Sequence, residues 1–199
     1  MPHQSSDQGG SSDRQFSIDK QRAENLKSRI ILVKYGGNAM VSEDHKKAVI
    51  EDICRLKELG ALPVVVHGGG PAIGEILEKV SIKSDFVGGH RKTTSEMMEY
   101  VEMALSGKVN GEIVKLLCAR GCRAVGLSGK DGGMVKASRR VHEVKIDDRI
   151  EKADLGHVGD VEAINTDLVH ALLREDYLPV IAPIGVGEDL EDYNINADM

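Results

Sequence analysis

Between residues 29 and 199, short unbroken apolar runs alternate with stretches in which apolar residues recur every three or four positions. The runs are Ile30-Ile31-Leu32-Val33, Leu62-Pro63-Val64-Val65-Val66, residues 123–127 and residues 178–184. Continuous apolarity of this length predicts strands buried on both faces, as in a parallel sheet. The periodic stretches predict helices. One covers 42–59, with Val49, Ile53, Leu56 and Leu59 on one face and Gly60 as its stop. A second covers 72–80 through Ile73, Ile76, Leu77 and Val80. A third follows Thr94 as N-cap, through Met97, Met98, Val101 and Leu105, with Glu96 and Glu99 suited to its early turns. Two more span 109–120, ending before Gly121, and 166–174. Phe86 to Thr93 reads as a hairpin or loop around Gly88-Gly89, and short strands are expected at 134–137 and 141–146. The repeated strand-then-helix order predicts an α/β three-layer sandwich: a mainly parallel central sheet flanked by helices. No repeat or linker interrupts 29–199.

Residues 1–28 differ. The first twelve are rich in Ser, Gln and Gly and read as a flexible tail; 17–28 carry only a thin stripe of Ile18, Ala23 and Leu26, enough for a short helix. Aromatic residues make up 3% of the chain with no Trp, which argues against base-stacking on single-stranded nucleic acid. A net charge of −6 leaves no electrostatic footprint for nucleic acid or an anionic membrane, so functional cations must be local. No apolar run approaches the roughly 20 residues of a membrane span, and no signal-peptide core is present. Cys54, Cys118 and Cys122 fit neither a C-x-x-C pair nor a disulfide scaffold and read as reduced packing residues. A cytoplasmic location is expected.

The chemistry sits where two apolar runs end in glycine. Val33-Lys34-Tyr35-Gly36-Gly37 closes the first run; Val66-His67-Gly68-Gly69-Gly70-Pro71 closes the second and leads into a helix. Several glycines after a buried strand let backbone N–H groups converge on an anion, and a helix N-terminus adds partial positive charge. Lys34 adds a full one. Singly, each turn is explained by the sterics of a tight connection, and Lys34 by a solvated strand end; the combination points to a phosphate or carboxylate held over the sheet. Known fingerprints are absent: Gly129-Lys130 continues with Asp131 and Gly107-Lys108 with Val109, so neither is a P-loop. Gly68 and Gly70 are followed by Ile73 where a dinucleotide fingerprint needs its third glycine. No metal-ligand spacing and no hydrolase nucleophile elbow occurs.

Together with 125–133 (Val-Gly-Leu-Ser-Gly-Lys-Asp-Gly-Gly), 154–159 (Asp-Leu-Gly-His-Val-Gly), 181–187 and 193–198, these segments resemble the amino acid kinase family across about residues 29–199. The resemblance implies ATP-dependent phosphorylation of the side-chain carboxylate of N-acetyl-L-glutamate, a step of arginine biosynthesis. Lys34 and Asp198 are implied as catalytic, with Lys34, Gly36 and Gly37 on the transferred phosphoryl. Gly68, Gly69, Gly70, Arg91, Asn194 and Asn196 are implied to hold the acceptor, Arg91 as a fork for its α-carboxylate. No metal site is implied within the chain; ATP with Mg would be bound mainly by a C-terminal half that begins, in the family, where this sequence stops. The expectation is therefore an acceptor-binding lobe with little activity alone, an exposed apolar patch that promotes association, and a homodimer through this lobe. The 13–28 segment lacks the apolar stripe of the extra helix found in arginine-inhibited hexamers. Residues 130–133 read as a hairpin turn, 156–159 as a substrate-side loop with a structural His157, and Glu188, Asp189, Glu191 and Asp192 as a solvated turn. Competing readings keep the family but change the acceptor to carbamate, aspartate, glutamate or carrier-bound aminoadipate, or make the chain a non-catalytic small-molecule sensor.

Overall fold

The computed structural model describes residues 24–40, 42–88, 90–146 and 149–198. Most of the expected tail and its short helix lie outside the described residues. The strands are β1 (Ile30–Tyr35), β2 (Leu62–His67), β3 (Phe86–Val87), β4 (His90–Arg91), β5 (Ala124–Ser128), β6 (Val135–Ile146), β7 (Arg149–Ile164), β8 (Leu178–Ala182), β9 (Ile184–Val186) and β10 (Asp192–Ile195). The α-helices are α1 (Glu43–Glu58), α2 (Gly70–Lys79), α3 (Ser95–Glu102), α4 (Asn110–Ala119) and α5 (Asp167–Arg174).

The central sheet is parallel, in the order β1-β2-β8-β5, with Ile30 opposite Leu62, Val65 opposite Val180 and Ala124 opposite Leu178. Side chains alternate faces along each strand. Val33, Tyr35, Val65, Leu178 and Val180 pack beneath α1 and α4 against Ile50, Ile53, Ile113 and Leu117. Val64, Val66, Leu127 and Ile181 meet Val169 and Leu173 of α5 on the other face. Burial on both sides is why β2 and β8 read as continuous apolar runs. β1, at the sheet edge, departs from that expectation by leaving Ile30 and Leu32 exposed, while the expected α/β sandwich holds. The hairpin of β3 and β4 also forms where expected, and Thr94 caps α3, its Oγ1 accepting the Met97 N–H.

Five expectations need correction. The helices on either side of Gly107 do not separate: α3 runs through a π-helical segment, Met103–Val109, into α4. The wider turn absorbs an extra residue while Ala104, Leu105 and Val109 stay buried, so no break is required. The short strands near 134–137 and 141–146 are one strand, β6, antiparallel to β7, with irregularities at Lys136/Ala137 and Arg139/Val141 that hide the alternation in sequence. The 156–159 stretch is consequently part of β7 rather than a loop. The expected hairpin turn at 130–133 is instead a short 3₁₀ segment, Asp131–Gly133, that carries the chain from the parallel sheet to this second sheet. The expected run 178–184 divides at Pro183, which has no N–H to extend the ladder.

In the second sheet β10 lies between β7, which it joins in parallel, and β9, which it joins antiparallel. Ile195 donates its N–H to the Pro183 carbonyl (2.9 Å), so the segment leaving β10 runs past the end of β8.

Candidate active site

Because the four central strands are parallel, their carboxyl ends share one edge, the usual ligand-binding edge of such sheets. A cleft of about 290 Å³ opens there. Its walls include Lys34, Gly68, Gly69, Gly70, Arg91, Asn194, Asn196 and Asp198, residues drawn from 165 positions of sequence. Gly36 lies just behind: a Cβ added to it would be 3.1 Å from the Cε and Nζ of Lys34. Gly37, with φ of +60°, opens a 3₁₀ turn (Gly37–Met40) and is not among the lining residues.

Lys34 projects from the penultimate position of β1 and meets Asp198, Nζ to Oδ1, at 2.6 Å. The two side chains remain 40% and 62% exposed. An ion pair this open is worth about 0–1 kcal/mol, so a competing anion can enter at little cost. Asp198 is held from behind by its own N–H, which donates to Asn196 Oδ1 (3.1 Å). Asn196 thus has the turn-forming role common to Asn as well as a place on the wall.

The two glycine turns are stitched together. The Gly68 N–H donates to the Tyr35 carbonyl (2.8 Å), which takes that amide away from the cleft and narrows the expected donors. The N–H groups of Gly69 and Gly70 meet no backbone acceptor among the described residues. Gly70 is the first residue of α2, so its amide also carries the positive end of that helix. Gly69 must lack a side chain here, because a Cβ would strike Leu105 Cδ2.

Arg91 reaches the cleft from β4. Its guanidinium lies 4.7 Å from the Phe86 ring centre across the hairpin and donates to Ser84 Oγ and to the Gly70 carbonyl (3.3 Å). Partial burial draws its pKa down without removing its charge. Of five N–H donors, those not engaged by Ser84 and Gly70 are available to a carboxylate. The hairpin is fixed to β7: Thr93 donates to the Leu155 carbonyl (2.9 Å), and His157 donates its N–H to the Thr93 carbonyl (2.7 Å). Gly156 allows this approach, since a Cβ there would strike the Thr93 carbonyl. Buried His157 donates Nδ1–H to the Asp192 carbonyl (3.0 Å), a structural role as expected.

Lys130 is bound twice, to Glu102 at 2.7 Å and Asp192 at 3.0 Å, tying α3 to β10. The expected solvated turn is thereby corrected in part: Asp192 belongs to this network, Glu188 pairs with Lys136 (2.6 Å), and Asp189 accepts from the Tyr193 hydroxyl (2.7 Å). Sequence reasoning missed Ser84 and Phe86. Phe86 is legible in principle, because the hairpin register places it opposite Arg91; Ser84 lies outside the strands and carries no signal. Among the described residues no group of three or more His, Cys, Asp or Glu side chains is placed to hold a metal ion, and no helix is long and apolar enough to cross a membrane.

Fold and cleft together define an α/β protein with a cleft lined by glycines, a lysine and an arginine at the carboxyl edge of a parallel sheet. The chain belongs to the amino acid kinase family, whose model matches residues 29–199. The acetylglutamate kinase of Vesicomyosocius okutanii subsp. Calyptogena okutanii is 49% identical over 174 residues, covering 87% of this chain and 56% of that protein. That of Marinobacter nauticus is 49% identical over 174 residues, covering 86% and 60%. The chain therefore spans somewhat more than half the length of these curated relatives. Among solved structures, smu.665 of Streptococcus mutans UA159 superposes with a TM-score of 0.70 at 29% identity, covering 85% of this chain and 64% of that one. N-acetylglutamate synthase of Neisseria gonorrhoeae, solved with coenzyme A and N-acetyl-glutamate, gives 0.72 at 16% identity, covering 94% and 41%, which establishes a shared fold.

Proposed function

We propose that this chain is the acceptor-binding lobe of a cytoplasmic ATP-dependent kinase acting on the side-chain carboxylate of N-acetyl-L-glutamate, in arginine biosynthesis. The observation that carries the reading is the convergence of Lys34, paired with Asp198, the Gly69 and Gly70 amides, and Arg91 on one cleft. In the reaction an oxygen of the γ-carboxylate bonds to the terminal phosphorus of ATP as the bridging P–O bond breaks, giving an acyl phosphate and ADP. With a reference pKa near 4.3 the carboxylate is already ionised at neutral pH, so no general base is needed. The task is to bring two anions together and to stabilise charge spreading over the transferred group. Lys34 supplies a cation there, oriented by Asp198, and the Gly69 and Gly70 N–H groups supply fixed dipoles; losing one such donor typically costs about 10²–10³ in rate. Arg91 grips the α-carboxylate, and Asn194 and Asn196 border the acyl-amino group. The nucleotide and its magnesium ion would be held mainly by the portion that the longer relatives carry beyond the matched region. A homodimer through this lobe completes the reading.

Calorimetry of the chain against a panel of acceptors tests it. N-acetyl-L-glutamate is expected to bind one per chain, with L-glutamate, L-aspartate and carbamate far weaker and ATP alone weak. A preference for another acceptor reassigns the substrate within the family; strong ATP binding without any acceptor binding contradicts the reading.

A further inference from the structure

Directly beneath the 68–70 turn lies a polar pair with no exposed surface to justify it. His67 is 0% exposed and Asn110 is 4% exposed, in a region otherwise filled by Val65, Val109 and Val180. Burying two polar side chains is costly unless their hydrogen bonds are met. They are. His67 Nδ1 lies 2.8 Å from the Gly68 carbonyl oxygen, Asn110 Nδ2 lies 3.1 Å from His67 Nε2, and Asn110 Nδ2 donates to the Val180 carbonyl at 2.9 Å.

The partners settle the tautomer. A carbonyl oxygen can only accept, so Nδ1 carries the imidazole proton and donates it to Gly68. The Asn110 amide is oriented with its NH₂ toward the Val180 carbonyl, so it too is a donor, and Nε2 accepts. One chain of hydrogen bonds therefore runs from the Gly68 carbonyl through the ring to the central strand β8.

The consequence lies one peptide further on. The Gly68–Gly69 peptide is trans, as are all described peptides, so its carbonyl and N–H point in opposite directions. Drawing the Gly68 oxygen inward to His67 turns the Gly69 N–H outward, toward the cleft. Gly68 and Gly69, which flank this peptide, have no Cβ to resist its rotation, and without such an anchor it flips readily. The placement of Asn110 is equally specific. It is the first residue after the π-helical segment, and Gly126 lacks the Cβ that would strike its Oδ1. Leu105, within that segment, packs where Gly69 lacks a side chain.

We propose that His67 and Asn110 are positioning residues of the anion site: their buried hydrogen-bond chain locks the Gly68 carbonyl inward and so presents the Gly69 N–H to the acceptor or its phosphoryl. Neither side chain is among those lining the cleft. The inference deepens the function proposed above and rests on it for the identity of the anion, though not for the orientation of the peptide.

The test has a ligand-free arm and a binding arm. In the intact chain, ¹⁵N NMR of the His67 ring is expected to show Nδ1 protonated and Nε2 as the lone-pair nitrogen; the reverse tautomer would overturn the proposal. His67→Gln, which can donate on one side and accept on the other, is expected to keep the Gly69 amide shift and the affinity for N-acetyl-L-glutamate near those of the parent. His67→Phe and Asn110→Ala are expected to move the Gly69 amide resonance and to weaken that binding by about tenfold, a change of roughly 1.4 kcal/mol. If folded His67→Phe or Asn110→Ala protein keeps the parent Gly69 shift and affinity, the proposal fails. If the parent shows the stated tautomer and the variants move Gly69 but no acceptor binds, the positioning stands and the substrate reading falls instead.

Discussion

The outer strands of the parallel sheet, β1 and β5, each end in a glycine-bearing turn beside a lysine, and the two lysines serve opposite purposes. Lys34 at the end of β1 has Asp198 as its partner, with both side chains more than a third exposed on the cleft. Lys130 after β5 is held between Glu102 and Asp192, each of the three side chains about one-third exposed or less. The first cation is open to an incoming anion; the second is neutralised twice over and fastens α3 to β10. Their glycines differ in the same sense. A Cβ on Gly129 would strike the Ile184 backbone carbonyl, whereas one on Gly36 would meet only the movable tip of Lys34 at 3.1 Å. The lesson is that a lysine beside a glycine turn stays open to a ligand when a single exposed carboxylate, rather than two less exposed ones, holds it.

The largest effect should come from setting the two glycines against each other. Gly129→Ala is expected to destabilise the fold by about 2–4 kcal/mol, because rigid backbone must move. Gly36→Ala should leave the unfolding midpoint nearly unchanged while weakening anion binding, as it displaces Lys34. Equal denaturation midpoints for the two variants would erase the distinction. Next come the lysines themselves. Lys130→Ala should cost about 1–2 kcal/mol in chemical denaturation, since it leaves two carboxylates facing each other, with acceptor affinity retained. Lys34→Ala should do the reverse: stability within about 0.5 kcal/mol and acceptor binding reduced about tenfold or more.

A third, smaller effect separates the buried base of the cleft from the charged outer surface of α2. Burial lowers the pKa of His67 from 6.5. The unfolded chain therefore takes up a proton that the folded chain refuses, and stability falls as pH drops below about 6.5, by at most about 1.4 kcal/mol per pH unit. Glu75, held down to about 2 by hydrogen bonds from Lys108 and Lys79, acts in a different window: its contribution is present above 4.5 and lost as pH falls toward 2. Between pH 6.5 and 5 the slope should thus shrink in His67→Gln, as read from denaturation at a series of pH values. The smallest effect concerns the partly open sheet face. Ile30 and Leu32 of β1 are 50% and 67% exposed beside an apolar groove of about 340 Å³. Leu32→Lys should reduce concentration-dependent association by light scattering without touching acceptor affinity.

Much of this arrangement was legible. Apolar runs mark β2 and β8 because both their faces are buried, whereas the run of β1 gives no sign that Ile30 and Leu32 stay exposed; Lys34 and its glycines are visible because they are neighbours in the chain. Arg91, Asn194 and Asp198 were reached through the family resemblance, since nothing local announces a contact between positions 34 and 198. The distinction between Lys34 and Lys130 was only half legible: 130–133 read as a structural turn, but the partners that make Lys130 structural come from α3 and β10. The π-helical segment left no trace because its apolar spacing imitates two ordinary helices, and β6 was cut in two because bulges break the period that reveals a strand. His67 looked like the last residue of a strand; its role depends on Asn110, 43 residues away.

The most direct measurement is an ¹H–¹⁵N titration of the chain with N-acetyl-L-glutamate, following every assigned amide. Saturable shifts are expected at Gly69, Gly70, Arg91, Asn194 and Asp198, with the 130–133 turn unmoved. Shifts confined to the 130–133 turn, or none at saturating ligand, would contradict the proposed acceptor site.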